Sequence, residues 1–328
     1  MNMRIFSVIL ICFFLYSCSS NDYKKETIKV QLPVEVGFFR NWYMHFQNKD
    51  EGVVFASPFC VFKTENAGKT WIDAIDMNDY VLEYNHVVIN GVLYGVVSKI
   101  NTAGYYHFFY YDFNKKILSF LNDSIEKDVF VDLINKNDEV SILCASDRLK
   151  ECVDDSKFSF LNNSNIPIQN QILTIDDMMV YITYDKKMLV CKDETYKELY
   201  FKEKDDPYCL TYIGEKKIII GAISPKEGGV CIYSYDIETG LLELTSKITI
   251  PSDKYVSCSN LKVLGNAIVI FVGKSYSPDE IYYSYDKGKT WKREGFHWEL
   301  SLNCAVDNEL LIISNENTLE KIIFNKAD

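Results

Sequence analysis

The sequence predicts an all-β fold, a single seven-bladed β-propeller of four-stranded antiparallel blades. Runs rich in Val, Ile, Tyr and Phe recur along the 328 residues, and no long stretch has helical spacing of its apolar residues. Two kinds of turn alternate between these runs with the same count and phase, which is typical of a repeated unit. Six blades is the alternative, because the repeat around residues 172–201 is short. A pair of β-sandwiches would not produce one regular period.

The N-terminal residues predict a targeting segment rather than part of the fold. Arg4 supplies a positive charge, and the apolar run 5–16 is too short to span a bilayer. Leu15-Tyr16-Ser17-Cys18 resembles the bacterial lipobox, although Tyr16 is bulkier than usual there. The resemblance implies that residues 1–17 are a lipoprotein signal peptide and that Cys18 carries the lipid. The alternative is an ordinary secretory signal that is cut nearby.

Polar residues follow Cys18 and precede the first predicted strand. Residues 18–27 are predicted to be a polar tether, and residues 28–328 form the propeller domain. The strand 28–32 has no blade of its own, and the last repeat lacks a fourth strand. We therefore expect this N-terminal strand to close the ring as the outer strand of the last blade. Ser19 directly after Cys18 favours the outer membrane over retention at the inner membrane.

The first kind of turn is short and polar and precedes a very apolar strand. It recurs seven times, at steps of roughly 38 to 51 residues. The seven turns lie at 48–51, 90–91, 135–138, 176–177, 214–217, 265–266 and 307–308. Seven such turns predict seven blades.

The second kind of turn is carried by two octapeptides. Ser284–Trp291 reads S-x-D-x-G-x-T-W, and Thr64–Trp71 is a looser copy. An Asp or Asn side chain accepts backbone hydrogen bonds within its own turn, Gly supplies positive φ, and Trp buries aromatic surface. The structural positions are Thr64, Asn66, Gly68, Thr70, Trp71, Ser284, Asp286, Gly288, Thr290 and Trp291. Degenerate equivalents are predicted at Asp112, Asp155, Asp193 and Asp236.

These octapeptides resemble the Asp box, or BNR repeat, of sialidase-like β-propellers. The resemblance implies that the box is a structural turn, so Asp286 is not expected to be a catalytic acid. It also implies that ligands bind on the opposite face, which the loops between the second and third strands reach. One such loop, 99–106, is rich in aromatic residues that suit sugar or peptide binding. Tyr105, Tyr106 and His107 are the candidate ligand-face residues.

The resemblance to sialidases also provides a test for catalysis. That family uses three arginines around the substrate carboxylate, a Tyr nucleophile activated by a Glu, and an Asp acid/base. After residue 17 this chain has three arginines, Arg40, Arg148 and Arg293. Arg40 lacks the family's Ile-Pro context, and Arg293 is predicted to lie in an outer strand. The triad is therefore not assembled, and Arg40 and Arg148 are the catalytic candidates that remain.

Metal ions, cofactors and nucleic acid are not predicted. The four histidines have no metal-ligand spacing, and no phosphate-binding glycine loop is present. The formal net charge is −11 and no basic stripe occurs, which argues against nucleic acid. The predicted membrane contact is the N-terminal lipid.

Eight cysteines follow Cys18, and two interpretations are open for them. An exported protein could pair them in disulfides, or they could be small buried residues between packed sheets. No CxxC spacing occurs. Cys144 with Cys152 is the best disulfide candidate, because the two flank a short loop.

The sequence as a whole predicts a cell-envelope lipoprotein whose propeller is a non-catalytic binding or assembly module. A glycan or an envelope protein is the expected partner. One alternative is a sialidase-like glycoside hydrolase with a divergent active site. Another is a subunit of an envelope complex that binds no small ligand.

Overall fold

The computed structural model describes seventeen stretches of the chain. They are 23–29, 42–56, 59–77, 79–101, 104–126, 130–136, 139–144, 159–162, 168–183, 186–192, 195–201, 205–225, 228–250, 256–274, 277–297, 302–313 and 318–324. Within them, every regular element is a β-strand, as predicted. No helix in this part of the chain is long and apolar enough to cross a membrane.

The strands form seven sheets, which we number in chain order. Sheet 1 contains β2 (Trp42–Phe46), β3 (Gly52–Ala56), β4 (Phe59–Thr64) and β5 (Ile72–Met77). Sheet 2 contains β6 (Tyr80–Ile89), β7 (Val92–Lys99), β8 (Tyr105–Asp112) and β9 (Ile117–Glu126). Sheet 3 contains β10 (Phe130–Lys136), β11 (Glu139–Cys144) and β12 (Ser159–Asn162).

The remaining four sheets each have four strands. Sheet 4 contains β13 (Ile168–Ile175), β14 (Met178–Thr183), β15 (Met188–Lys192) and β16 (Thr195–Leu199). Sheet 5 contains β17 (Asp206–Tyr212), β18 (Lys217–Ile223), β19 (Val230–Asp236) and β20 (Leu241–Ile248). Sheet 6 contains β21 (Val256–Leu264), β22 (Ala267–Lys274), β23 (Ser277–Ser284) and β24 (Lys292–His297). Sheet 7 contains β25 (Leu302–Val306), β26 (Glu309–Ile313), β27 (Thr318–Phe324) and β1 (Tyr23–Lys29).

The predicted count of seven four-stranded blades is wrong, because six sheets of the described chain are four-stranded antiparallel blades. The alternative given by the sequence analysis was six blades. Sheet 3 differs in having three strands among the described residues, with β11 and β12 paired in parallel. The turn near 135–138 does join an antiparallel pair, β10 and β11. A hairpin turn is a local feature, whereas completing a blade needs later strands to pair in order, so counting turns overestimated the number of blades.

The polar turns join the first and second strands of their sheets. Asn90 and Gly91, between β6 and β7, have φ of 49° and 75°, as a primed two-residue hairpin turn requires. In a four-stranded meander, the turns after strands 1 and 3 lie on one face of the ring, and the loop after strand 2 lies on the other. We call these the turn face and the loop face.

The first strands of neighbouring sheets contact one another around the ring, from β2 through β6, β10, β13, β17 and β21 to β25 and back to β2. Hydrophobic clusters fill the spaces between neighbouring sheets. Between sheets 7 and 1, for example, Phe46 and Trp71 pack against Leu319. Burying each large apolar side chain contributes about 2 kcal/mol. The core is therefore a series of inter-sheet layers.

An N-terminal strand closes the ring, but it begins earlier than predicted. β1 pairs antiparallel with β27, from Tyr23 opposite Phe324 to Lys29 opposite Thr318. Residues 23–27 of the predicted tether thus belong to sheet 7, and the predicted strand 28–32 overlaps β1 only at its start. The reason is packing, since the Tyr23 ring lies 5.7 Å from that of Tyr283. The polar residues of β1 suit an outermost strand.

Candidate functional site

The first octapeptide is a self-contained turn between β4 and β5. The Thr70 N–H donates to Asn66 Oδ1 over 2.9 Å, and the Gly68 N–H donates to Thr64 Oγ1 over 3.0 Å. The indole N–H of Trp71 donates to the Gly68 carbonyl over 2.9 Å. Ala67 and Gly68 have φ of 59° and 79°. Each polar group of the motif is therefore used within the turn.

The second octapeptide repeats this network between β23 and β24. Asp286 Oδ1 accepts from the Ser284 hydroxyl and the Thr290 N–H, both over 2.8 Å, while Oδ2 accepts from the Thr290 hydroxyl over 2.6 Å. Burial alone would raise the pKa of Asp286, but the bonds from Thr290 and Ser284 outweigh it and lower the pKa. The carboxylate is thus held ionised by its own turn.

Both octapeptides also contact the preceding sheet, which the sequence did not indicate. The Trp291 indole N–H donates to Ser246 Oγ of β20 over 3.1 Å, in addition to the Gly288 carbonyl. A Cβ atom at Gly68 would lie 2.5 Å from Leu319 Cδ2 of β27. The octapeptides therefore connect neighbouring sheets as well as strands.

Two of the predicted degenerate turns use the same kind of Asp. Asp112 Oδ1 accepts from the backbone N–H groups of Asn114 and Lys115, each over 3.0 Å. Asp236 Oδ1 accepts from the Thr239 N–H over 2.9 Å. Each turn joins the third and fourth strands of its sheet. Asp155 and Asp193 lie outside the described residues.

The predicted ligand-face residues lie in a strand instead of a loop. Tyr105, Tyr106 and His107 begin β8, and the connection from β7 consists of residues 100–104. Aromatic residues favour strands, and this explains why the aromatic run that begins at Tyr105 forms the start of β8 instead of a loop. Tyr105 is 44% exposed, and Tyr106 and His107 are half-buried.

His107 is held among aromatic rings at the loop-face end of sheet 2. Tyr80 meets it edge-on at 6.1 Å and stacks on Phe120 at 4.9 Å. The Nε2 atom of His107 is buried and has no hydrogen-bond partner among the described residues. Burial, with a smaller contribution from Lys99, lowers the pKa of His107. The imidazole is therefore neutral near pH 7.

A Tyr, a Glu and an Arg meet in sheet 6, away from the ring centre. The Tyr282 hydroxyl donates to Glu280 Oε2, and Arg293 Nη2 lies 3.1 Å from Glu280 Oε1. Burial and the Glu280 carboxylate raise the pKa of Tyr282. These residues belong to the third and fourth strands of sheet 6. The predicted catalytic candidates Arg40 and Arg148 and the predicted lipid-anchor residue Cys18 lie outside the described residues.

Six cysteines have side chains that the structure describes, and all six are thiols. Cys191, Cys209, Cys231, Cys258 and Cys304 are buried, and Cys60 is half-buried. Cys152 of the predicted Cys144–Cys152 disulfide lies outside the described residues. No group of three His, Cys, Asp or Glu within the described residues is placed to hold a metal ion.

A groove of about 610 Å³ lies on the turn face between sheets 4 and 5. Its apolar lining includes Met178, Val190 and Ile237, and Tyr196 at its outer end is 50% exposed. The turns after the first strands of both sheets contribute, as does the Asp236 turn. Its volume falls within the range of roughly 300–1,000 Å³ typical of ligand pockets.

Three lysines at the rim of this groove each have an oxygen partner. Lys192 Nζ lies 3.4 Å from Asp177 Oδ2, and Lys216 Nζ lies 2.6 Å from Glu238 Oε1. Lys197 Nζ donates to the Gly240 carbonyl over 2.9 Å. Exposed pairs of this kind each contribute about 0–1 kcal/mol. They can therefore be exchanged for the charges of a partner at little cost.

Solved structures of other proteins resemble this ring of sheets. The structure described as YCF48 bound to D1 peptide has a TM-score of 0.58 and 8% identity, over 94% of this chain and 98% of that chain. A putative 6-phosphogluconolactonase from Bacteroides uniformis has a TM-score of 0.52 and 12% identity, over 78% and 84%. The chain has a β-propeller fold. For BamB from Moraxella catarrhalis the TM-score is 0.48, with 12% identity over 86% and 84%.

At these identities the similarity is one of fold. No protein-family model matches the propeller sequence, and no curated protein matches it. The groove was missed by sequence reasoning because its lining comes from two sheets of the propeller whose strands are far apart in the chain. One feature of the sequence could have indicated the groove. The polar turns at 176–177 and 214–217 belong to consecutive predicted repeats, and both turns contribute residues to its lining.

Proposed function

We propose that this protein is an Asp-box-type lipoprotein of the bacterial cell envelope, whose propeller binds a segment of another envelope protein without catalysis. The lipobox-like residues before Cys18 support export and lipid anchoring. The octapeptide turns support a relation to Asp-box propellers. The similar structure of YCF48 bound to D1 peptide supports a peptide-binding role for a fold of this kind.

The groove between sheets 4 and 5 is the observation that carries the proposal. Its apolar floor can receive two or three side chains of a ligand. Its rim has three lysines and three carboxylates, Lys192, Lys197, Lys216, Asp176, Asp177 and Glu238. A polypeptide presents apolar side chains and charges of both signs, whereas an uncharged glycan would leave the rim charges unused. An extended protein segment is therefore the partner that fits.

The test compares exposed tyrosines on opposite faces of the propeller. A photo-crosslinking residue is placed at Tyr196 in the groove or at Tyr105 on the loop face, and intact cells are irradiated. We expect one defined protein to cross-link at Tyr196 and not at Tyr105. With that protein purified, Tyr196→Ser should raise Kd about tenfold or more, as for a central aromatic contact. Tyr105→Ser should leave Kd unchanged.

The opposite result locates the site elsewhere. If Tyr105→Ser weakens binding and Tyr196→Ser does not, the partner binds the loop face and the groove assignment is wrong. If neither position cross-links to a protein, the assembly role fails.

Lipid anchoring has its own test. Mass spectrometry of the N-terminal peptide from envelope-derived protein should show a diacylglycerol-modified Cys18. Cys18→Ala should release the protein into the soluble fraction. An unmodified N-terminus elsewhere would favour the ordinary secretory signal.

The sialidase-like alternative requires its groups at the ring centre. Among the described residues, the one Tyr–Glu–Arg cluster, Tyr282, Glu280 and Arg293, lies in the outer half of sheet 6. No described feature therefore favours this alternative. Sustained turnover of a fluorogenic sialoside by the purified protein would contradict the non-catalytic proposal.

A further inference from the structure

Two buried thiols face each other between sheets 5 and 6. Cys209 lies on β17 and Cys258 on β21, the first strands of the two sheets, and both side chains are almost completely buried, at 0% and 2% exposure. β17 and β21 contact each other directly. The two cysteines are 49 positions apart in sequence, so the ring brings together residues that the sequence separates.

Gly221 on β18 marks the point where the sulfur atoms meet. A Cβ atom built on Gly221 would lie 2.7 Å from Cys209 Sγ and 3.5 Å from Cys258 Sγ. The absence of a side chain at this position leaves room for both sulfurs. Both sulfur atoms thus lie within 3.5 Å of one point, and the two thiols are close neighbours. The surroundings are apolar, and include Ile219, Ile232 and Ile270.

We propose that Cys209 and Cys258 form a disulfide that links sheets 5 and 6 in the exported protein. The proposal rests on the proposed export, since an oxidising compartment is where such bonds form and persist. The bond closes a loop of 49 residues and so restricts the unfolded chain. It joins two neighbouring sheets within the hydrophobic cluster against which Trp291 of the second octapeptide packs, and Trp291 also contacts sheet 5.

The oxidant is another disulfide, that of a thiol–disulfide oxidoreductase or of oxidised glutathione. One cysteine thiolate attacks it, forms a mixed disulfide and releases one thiol. The second cysteine, after losing its proton, then attacks the mixed disulfide and releases the second thiol. Two cysteine thiols are oxidised, and the oxidant is reduced to two thiols.

The timing of this reaction follows from burial. The neighbouring Cys209 thiol and burial both raise the pKa of Cys258, so this cysteine has almost no thiolate form in the folded chain. Exchange therefore takes place while the chain folds. Once formed, the bond is shielded from reductants by the same packing.

The test maps the cysteines of the full chain directly. Protein from the envelope is denatured in an alkylating agent without reductant and digested, and the peptides are identified by mass spectrometry. We expect a linked peptide joining Cys209 to Cys258, and alkylated thiols at Cys191 and Cys231. Cys209→Ala and Cys258→Ala should each abolish the link, whereas Cys191→Ala should keep it.

A second measurement does not depend on export. Purified protein is refolded in oxidised or in fully reduced glutathione, and Tm is compared. The oxidised sample should melt about 5 °C higher, and the difference should vanish in Cys209→Ala but persist in Cys191→Ala. This readout separates the inference from the proposed function, because a cytoplasmic protein without a binding partner could still form the link on refolding.

The proposal is overturned if Cys209 and Cys258 are alkylated in protein from both sources. Linkage of either cysteine to a different one would also overturn it. A variant that fails to fold does not affect the test, because peptide mapping of the unsubstituted chain decides the outcome.

Discussion

At the residue scale, the octapeptide Asp is a structural acceptor. Asp286 accepts three hydrogen bonds from its own turn, and Asn66 fills the same place in the first copy. The sequence predicted this role from residue types alone, because the donors are within a few residues. The contacts of these turns with the preceding sheet, through Ser246 and Leu319, depend on residues distant in sequence.

Replacing the acceptor should weaken the fold rather than remove an activity. Asp286→Ala leaves the Thr290 N–H and hydroxyl without their partner, and should lower the free energy of unfolding by about 1–3 kcal/mol. Urea titration followed by tryptophan fluorescence measures this change. Lys289→Ala in the same turn is the matched control and should stay within about 0.5 kcal/mol. Equal effects of the two changes would contradict the structural role.

His45 on β2 should make the stability of the protein depend on pH. Burial, with a smaller contribution from His86, lowers the pKa of His45 from 6.5 to about 4, and its ring lies 4.9 Å from Phe113. Between pH 4 and pH 6.5, His45 therefore binds a proton in the unfolded chain but not in the folded chain. Stability is therefore fully present above pH 6.5 and falls as the pH drops toward 4, by about 1–3 kcal/mol.

Urea midpoints at pH 7 and pH 4.5 check this dependence. His45→Phe should remove this part of the pH effect, and His86→Gln should leave most of it. An unchanged pH effect in His45→Phe would assign it to other groups.

At the element scale, tight turns determine how closely sheets approach. Gly68 has φ of 79°, and the space beside it is occupied by Leu319 of sheet 7. Positive φ was predictable from the octapeptide pattern. The close approach of β27 was not, since it depends on how two distant repeats pack.

Three glycine substitutions separate backbone from packing effects. Gly104 has φ of 104° with no atom within 4 Å of a built Cβ, and Gly295 has neither constraint. Gly295→Ala should be nearly neutral, Gly104→Ala should cost about 1 kcal/mol, and Gly68→Ala should cost about 2–4 kcal/mol. Chemical unfolding of the three variants gives the order. If Gly68→Ala costs no more than Gly104→Ala, the contact with Leu319 is unimportant.

At the scale of the whole molecule, the ring is closed by strands from both ends of the chain. β1 covers the edge of β27, and Lys25 Nζ lies 2.8 Å from Glu320 Oε2 across this pair. An uncovered strand edge presents unpaired N–H and C=O groups and promotes association. Closure therefore protects the molecule as well as stabilising it.

Deletion of residues 1–29 should open the ring, whereas deletion of residues 1–22 should not. We expect the longer deletion to lower Tm by several degrees and to cause concentration-dependent association through β27. Differential scanning calorimetry and light scattering measure the two effects. Identical behaviour of the two deletions would mean that β1 contributes little to closure.

Residue types and their spacing were enough to predict the strands, the polar turns, the octapeptide hydrogen bonds and closure by an N-terminal strand. These features follow from period-two apolar patterns and from turn residues whose partners are close in the chain. The folded structure was needed to show that six sheets are complete antiparallel blades, that Tyr105 begins a strand, and that sheets 4 and 5 enclose a groove. It alone brought Cys209 to Cys258. Strand pairing, inter-sheet packing and pockets join residues tens of positions apart, and a local pattern does not specify which distant residue will be the partner.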